Sequence, residues 1–150
     1  GVTTSVSYFP KDNSLYFDND KYDLLNWLSQ YSEDKDPTFV RGFLGRMLFS
    51  RDEVFKKTNV LSGGEKVRCM LAKMMLSGAN VLLMDGPTDH LDLESIISVN
   101  EGLSRYSGTL LFTSHDREFI DTIANRIIGI DGQLFEDKYL DSENNFDLAG

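Results

Sequence analysis

Residues 2–9 alternate, with Val2, Thr4, Val6 and Tyr8 on one side and Thr3, Ser5, Ser7 and Phe9 on the other, until Pro10 stops the run. A period of two rich in β-formers predicts a strand. Lys11 to Asp20 is polar and predicts a loop, with Asn19 or Asp20 available to cap the helix that follows. Leu24, Leu25, Leu28 and Tyr31 then recur at helical spacing. Asp36-Pro37 predicts a second helix start, because Asp can cap free N–H groups and Pro lacks a donor where none is needed. Behind it Phe39, Val40, Phe43, Leu44, Met47 and Leu48 form one apolar stripe, expected to be core.

A charged connection, Arg51 to Lys57, leads to a helix with Val67, Met70, Leu71, Met74 and Met75 on one side and Gly78 as its stop. Val81 to Met84 is continuously apolar, as expected of a strand covered on both faces in a parallel sheet. Asp92 is placed to cap a helix bearing Leu93, Ile96, Ile97 and Leu103. A strand over Thr109 to Thr113, a helix over Asp116 to Ala124 and a strand over Arg126 to Ile130 follow. Asp131-Gly132 predicts a tight turn into Gln133 to Glu136. Strands alternating with helices predict an α/β fold with a mainly parallel sheet. The expected organisation is a strand in 1–12, a helical part in 13–80, an α/β core in 81–136 and an acidic tail, without firm pattern, in 137–150.

Composition narrows the class. The chain has 150 residues, 41% hydrophobic and 26% charged, enough for one domain and hardly two. No apolar run approaches the roughly 20 residues that span a bilayer, and the first residues do not resemble a secretion signal. The expectation is a soluble, unsecreted protein with no membrane contact. The single cysteine, Cys69, can form no internal disulfide and lies among apolar residues, which predicts a small core side chain. A formal net charge of −9 argues against a broad nucleic-acid surface, whose affinity comes from Lys and Arg neutralising phosphates.

Three strings carry candidate chemistry. Ser62-Gly63-Gly64-Glu65 stands just before a helix, where free N–H groups and the positive end of the dipole favour an anion. Two glycines there let the backbone approach a ligand, though Ser-Gly-Gly is also an ordinary loop and cap. Asp85 closes an apolar strand, where an isolated carboxylate needs a cation or strong hydrogen bonds; Asp85-Gly86-Pro87 is also good turn chemistry. His115 stands between a strand and a helix, where a side chain can project over the sheet's C-terminal edge.

In order along the chain, Leu61 to Glu65, Val81 to Asp92 and Thr113 to Asp116 resemble the signature, Walker B, D-loop and H-loop elements of ABC-type ATPases. Pro87-Thr88-Asp89-His90-Leu91-Asp92 resembles the Pro-Thr-Asn-His-Leu-Asp of the ABC-F branch, as do Tyr8 to Asn13, Gly42 to Ser50 and Asn59 to Leu71, particularly in its second nucleotide-binding domain. The resemblance covers residues 1 to about 136. It implies a P-loop NTPase-like fold with an inserted helical subdomain, cytoplasmic ATP binding with Mg²⁺, and coupling of ATP hydrolysis to the ribosome. Ser62, Gly63, Gly64, Glu65, Lys11 and Asp92 would then contact nucleotide, Asp85 would act on Mg²⁺ through a water, and His115 would touch the γ-phosphate and orient the attacking water.

Three departures qualify the resemblance. Gly86 stands where the family carries its catalytic glutamate, so hydrolysis should be impaired; general-base assistance is worth about 10²–10⁴-fold. Asp89, in place of the family's Asn, is a nearby carboxylate. Lys11 stands at the Q-loop glutamine position, where it would pair with phosphate but oppose a metal cation. No Gly-x-x-x-x-Gly-Lys-Ser/Thr phosphate loop occurs in the chain. That absence predicts the carboxyl-terminal half of a nucleotide-binding domain, with a sheet interrupted between Thr109–Thr113 and Arg126–Ile130. Its expected partners are the missing Walker A half and a second nucleotide-binding domain. A different class also fits: a non-enzymatic half-domain that lends its signature surface to a partner's ATP site.

Overall fold

A computed structural model describes residues 4–124, 126–131 and 134–139, the last two segments by backbone alone. Strand β1, Val6–Tyr8, pairs in parallel with β2, Val81–Asp85, which pairs in parallel with β3, Thr109–Thr113. The register sets Val6 beside Val81 and brings Asp85 beside Thr113. Strands β4, Arg126–Asp131, and β5, Leu134–Tyr139, form a separate antiparallel pair. Among the described residues β3 bonds to β2 alone and β4 to β5 alone, in agreement with the interrupted sheet expected from the sequence.

The helical part between β1 and β2 holds α1, Leu24–Ser29, α2, Pro37–Arg46, and α3, Gly63–Leu76, with single 3₁₀ turns between α2 and α3. The cap of α1 is Asp23, accepting from the Asn26 N–H at 2.8 Å, and not Asn19 or Asp20. Asp23 wins because its extended backbone directly precedes the helix, as an N-cap requires. Asp36 caps α2 through the Thr38 N–H as the sequence predicts. The stripe of α2 is only partly core: Val40, Leu44 and Met47 are fully buried, whereas Phe39 is exposed and stacks edge-on with Phe43. Leu48 lies beyond the helix at φ +69°, where it continues no helical face.

On α3, Val67, Met70, Leu71, Met74 and Met75 are buried as expected, and Gly78 stops the chain at φ +76°. Cys69 is buried on the same helix, and burial pushes its thiol far above the ordinary range, so it behaves as an apolar filler. Trp27 anchors the helical core. It stacks on Phe17 at 4.9 Å and donates its indole N–H to the Tyr16 carbonyl at 2.9 Å.

Helix α4, Leu93–Ser104, buries Ile96, Val99 and Leu103, while Leu93 and Ile97 are exposed. Helix α5, Arg117–Ile123, follows β3 with Asp116 as its cap. Strand β2 is not covered equally on both faces. Leu82 and Met84 are buried but Val81 and Leu83 are half-buried, because the helices cover one face while Val6, Tyr8 and Leu111 stay exposed on the neighbouring strands. Residues Asp137 to Tyr139, expected in a tail without firm pattern, belong to β5; residues 140–150 and Gly132 of the expected Asp131-Gly132 turn lie outside the described residues.

Candidate functional site

The C-terminal ends of β1 and β2 and the turn after β2 open onto a cleft of about 410 Å³. Lys11, Asp85, Gly86, Asp89 and His90 line it together with Gly63 at the start of α3. The parallel register accounts for the convergence, because it carries every strand end to one edge. Phe9 donates its N–H to the Leu83 carbonyl at 2.8 Å, which holds the chain after β1 against β2 and delivers Lys11 above Asp85.

Asp85 sits at the centre of the charge arrangement. The Lys11 ammonium lies 3.1 Å from its Oδ2, and the Thr113 hydroxyl donates to its Oδ1. The Thr113 bond first, and Lys11 next, hold the carboxyl below the ordinary aspartate range, with a smaller contribution from His115. The string Thr113 to Asp116 by itself assigns Thr113 no role. Only the β2–β3 register, which pairs it with Asp85, reveals one.

Gly86 has φ +54°, a conformation that side chains with a Cβ rarely adopt. Its N–H donates to the Thr113 carbonyl at 3.0 Å, and its own carbonyl accepts from the Asp89 N–H at 3.1 Å, closing a turn over Pro87 and Thr88. The Asp89 carboxylate folds back over the glycine. A Cβ at position 86 would lie 2.7 Å from Asp89 Cγ and closer still to one of its oxygens. The space of a residue 86 side chain is therefore already filled by a carboxylate, through a turn that the sequence alone did not disclose.

The start of α3 is arranged differently. Ser62 is the N-cap, with its hydroxyl accepting from the Glu65 N–H at 3.2 Å, while Glu65 Oε1 accepts from the Ser62 N–H at 3.2 Å. This reciprocal capping box uses both side chains on the helix itself. Glu65 also meets the Lys56 ammonium at 2.9 Å. Burial alone would raise its carboxyl, but the Lys56 and Ser62 bonds more than offset that and hold it below the ordinary glutamate range. The Gly63 and Gly64 N–H groups stay at the open end of a 14-residue helix. Gly64 is glycine for a packing reason: a Cβ there would lie 2.6 Å from Ser95 Cβ on α4. This packing requires a glycine here independently of any ligand.

Besides Ser62, Gly64 and Glu65, two further sequence candidates lie outside the cleft lining. Asp92 accepts from the Ser95 N–H at 2.8 Å as the cap of α4, and this bond lowers its carboxyl pKa. His115 is exposed between β3 and α5, one residue before the Asp116 cap. Among the described residues no trio of His, Cys, Asp or Glu could cage a metal, and no helix is long and apolar enough to cross a membrane.

Residues 2–89 match the family model described as ABC transporter. The chain is 60% identical over 149 residues to YkpA, an uncharacterised ABC transporter ATP-binding protein of Bacillus subtilis, covering 95% of this chain and 28% of YkpA. It is 37% identical over 131 residues to ABC transporter F family member 5 of Arabidopsis thaliana, covering 87% of this chain and 19% of that protein. The chain thus spans less than a third of either relative. Among solved structures it resembles an ABC transporter described as of metal-chelate type in an inward-facing conformation. The TM-score is 0.68 with 19% identity, covering 93% of this chain and 59% of that one, which shows a shared fold.

Proposed function

We propose, on the premise that the chain belongs to the ABC transporter family, that it is the carboxyl-terminal part of an ABC-F type nucleotide-binding domain that holds ATP and has impaired hydrolysis. The observation that carries the reading is the Asp85–Gly86 turn. A carboxylate bonded to Thr113 stands at the cleft, and the next residue offers no side chain to polarise water. The Gly63 and Gly64 N–H groups and the α3 dipole supply an anion site for the γ-phosphate of a nucleotide held mainly by an opposite domain. Lys11 and Asp92 would contact nucleotide, and His115 would touch the γ-phosphate and orient the attacking water.

Asp85 is the carboxylate that would act on Mg²⁺ through a water, with phosphate oxygens completing the shell and the ion neutralising phosphate charge. As arranged, its oxygens are taken by Lys11 and the Thr113 hydroxyl, so the cleft fits the metal poorly. The β3 edge, unpaired among the described residues, and the open face at Val6, Tyr8 and Leu111 are where a phosphate-loop segment would complete the sheet. A second nucleotide-binding domain would face the signature helix, and the family's cytoplasmic coupling to the ribosome would run through segments outside this chain. The filled space at Gly86 equally supports a non-enzymatic half-domain that lends its signature surface to a partner.

A chimera in which this chain replaces the matching segment of YkpA separates the two readings. Gly86→Glu alone is expected to gain little, since Asp89 lies over the position; Gly86→Glu with Asp89→Ala, which clears that carboxylate, is expected to raise ATP turnover by about 10²-fold or more. No gain in the double variant would overturn Gly86 as the missing base and favour the non-enzymatic reading. The 150-residue chain alone is expected to bind MgATP weakly, and micromolar affinity in calorimetry would contradict the need for a phosphate-loop segment.

A further inference from the structure

Lys11 and Asp85 form the ion pair of the cleft, with Nζ 3.1 Å from Oδ2. The Thr113 hydroxyl holds the other carboxylate oxygen, so the protein already occupies both. A divalent cation arriving at Asp85 meets a like charge within contact range, and the repulsion falls only as the ammonium withdraws. Lysine suits an alternative. Its ammonium is a compact charge with three donors on a flexible stem, and the Lys11 side chain is 82% exposed, free to reorient without breaking a packed core.

The other charged and titratable groups around the cleft are Asp89 and His90, with His115 close enough to influence Asp85. Asp89 is turned back over Gly86. The glycine beside Asp85 adds no side chain of its own to the ion pair. The Lys11 ammonium is the group here that favours an anion over a divalent cation.

We propose that Lys11 is a substitute cation, whose ammonium bridges the Asp85 carboxylate to a polyphosphate oxygen so that the cleft takes a nucleotide's phosphates with reduced dependence on Mg²⁺. This rests on the nucleotide-binding reading above and specifies how its own residues meet the phosphates. No covalent bond is made or broken; one of the ammonium's three donors turns to a phosphate oxygen.

Two measurements test it. In the YkpA chimera, ATP affinity by calorimetry is expected to change by less than about threefold when Mg²⁺ is replaced by EDTA, because an exposed ion pair is weak enough for either cation to substitute. Lys11→Gln is expected to lose about tenfold in EDTA, and Lys11→Arg to keep the parent's behaviour. Equal metal dependence in parent and Lys11→Gln overturns the proposal while leaving nucleotide binding intact; absence of ATP binding in either buffer overturns the nucleotide reading instead. The 150-residue chain provides a measurement free of nucleotide, with Mn²⁺ as the probe. Paramagnetic broadening at Asp85 is expected to report several-fold tighter Mn²⁺ binding in Lys11→Gln than in the parent. Unchanged Mn²⁺ affinity in a variant that retains its circular dichroism overturns the proposal.

Discussion

Two junctions face each other across the cleft, the start of α3 at Ser62-Gly63-Gly64-Glu65 and the turn at Asp85-Gly86-Pro87, and both contain a glycine beside a carboxylate. At the first, the polar side chains close on their own backbone, and Gly64 exists because α4 passes within van der Waals range. At the second, the Asp85 carboxylate faces outward to a lysine and a hydroxyl, and Gly86 has a left-handed backbone with Asp89 lying over it. Similar residue types thus produce a rigid helix cap in one place and an adaptable charge cluster in the other. What differs is where the hydrogen-bonding capacity goes. A capping box satisfies its own groups within one helix, whereas a turn at a sheet edge is met by exposed groups from other segments, which a ligand can replace.

The contrast breaks most readily at Gly64. Gly64→Ala must push α3 from α4, with an expected loss of about 1–3 kcal/mol in urea unfolding, as for an overpacked core site. A loss below about 0.5 kcal/mol would mean that the helices part freely. Gly86→Ala should cost about 1–2 kcal/mol for the left-handed backbone, part of it recovered in the Asp89→Ala background. A double-mutant cycle with no coupling would show that Asp89 does not press on position 86.

Ser62→Ala removes one half of the capping box, with an expected loss of about 1 kcal/mol in thermal or urea unfolding. The smallest effect concerns pH. Glu65 has a folded pKa below its ordinary value of 4.5, so its contribution is present above that value and lost as pH falls below it. The stability difference between the parent and Glu65→Gln should therefore shrink between pH 6 and about pH 3. A difference independent of pH would remove the Lys56 and Ser62 bonds as its cause.

Much of the fold was legible because periodicity is local. The apolar face of α3, the Asp36 cap and the strand over Thr109–Thr113 follow from neighbours a few residues apart, and the structure has them where the spacing places them. Legibility failed where a longer contact decided. Phe39 and Ile97 satisfy the helical period yet stay exposed, since no element covers them among the described residues. β2 looks doubly buried in sequence because apolar runs do not record which face is covered. At the site, the strings marked Asp85, Gly86 and Ser62 to Glu65, but not Thr113, Ser95 or Lys56, whose importance lies entirely in what they touch.

The sequence by itself determined the alternation of strands and helices, the helix caps written into Asp36 and Asp92, the family strings, and the missing carboxylate at position 86. These depend on local backbone chemistry and on residue identity. Tertiary structure alone decided that Lys11 rests on Asp85, that Asp89 fills the space above Gly86, and that Gly64 serves helix packing. Lys11–Asp85 and Gly64–Ser95 join residues far apart in the chain, and the turn that folds Asp89 back is tied to β3 through the Gly86 N–H. Charge and steric contacts act through space, so only the assembled sheet edge and the α3–α4 packing bring these groups within reach of one another.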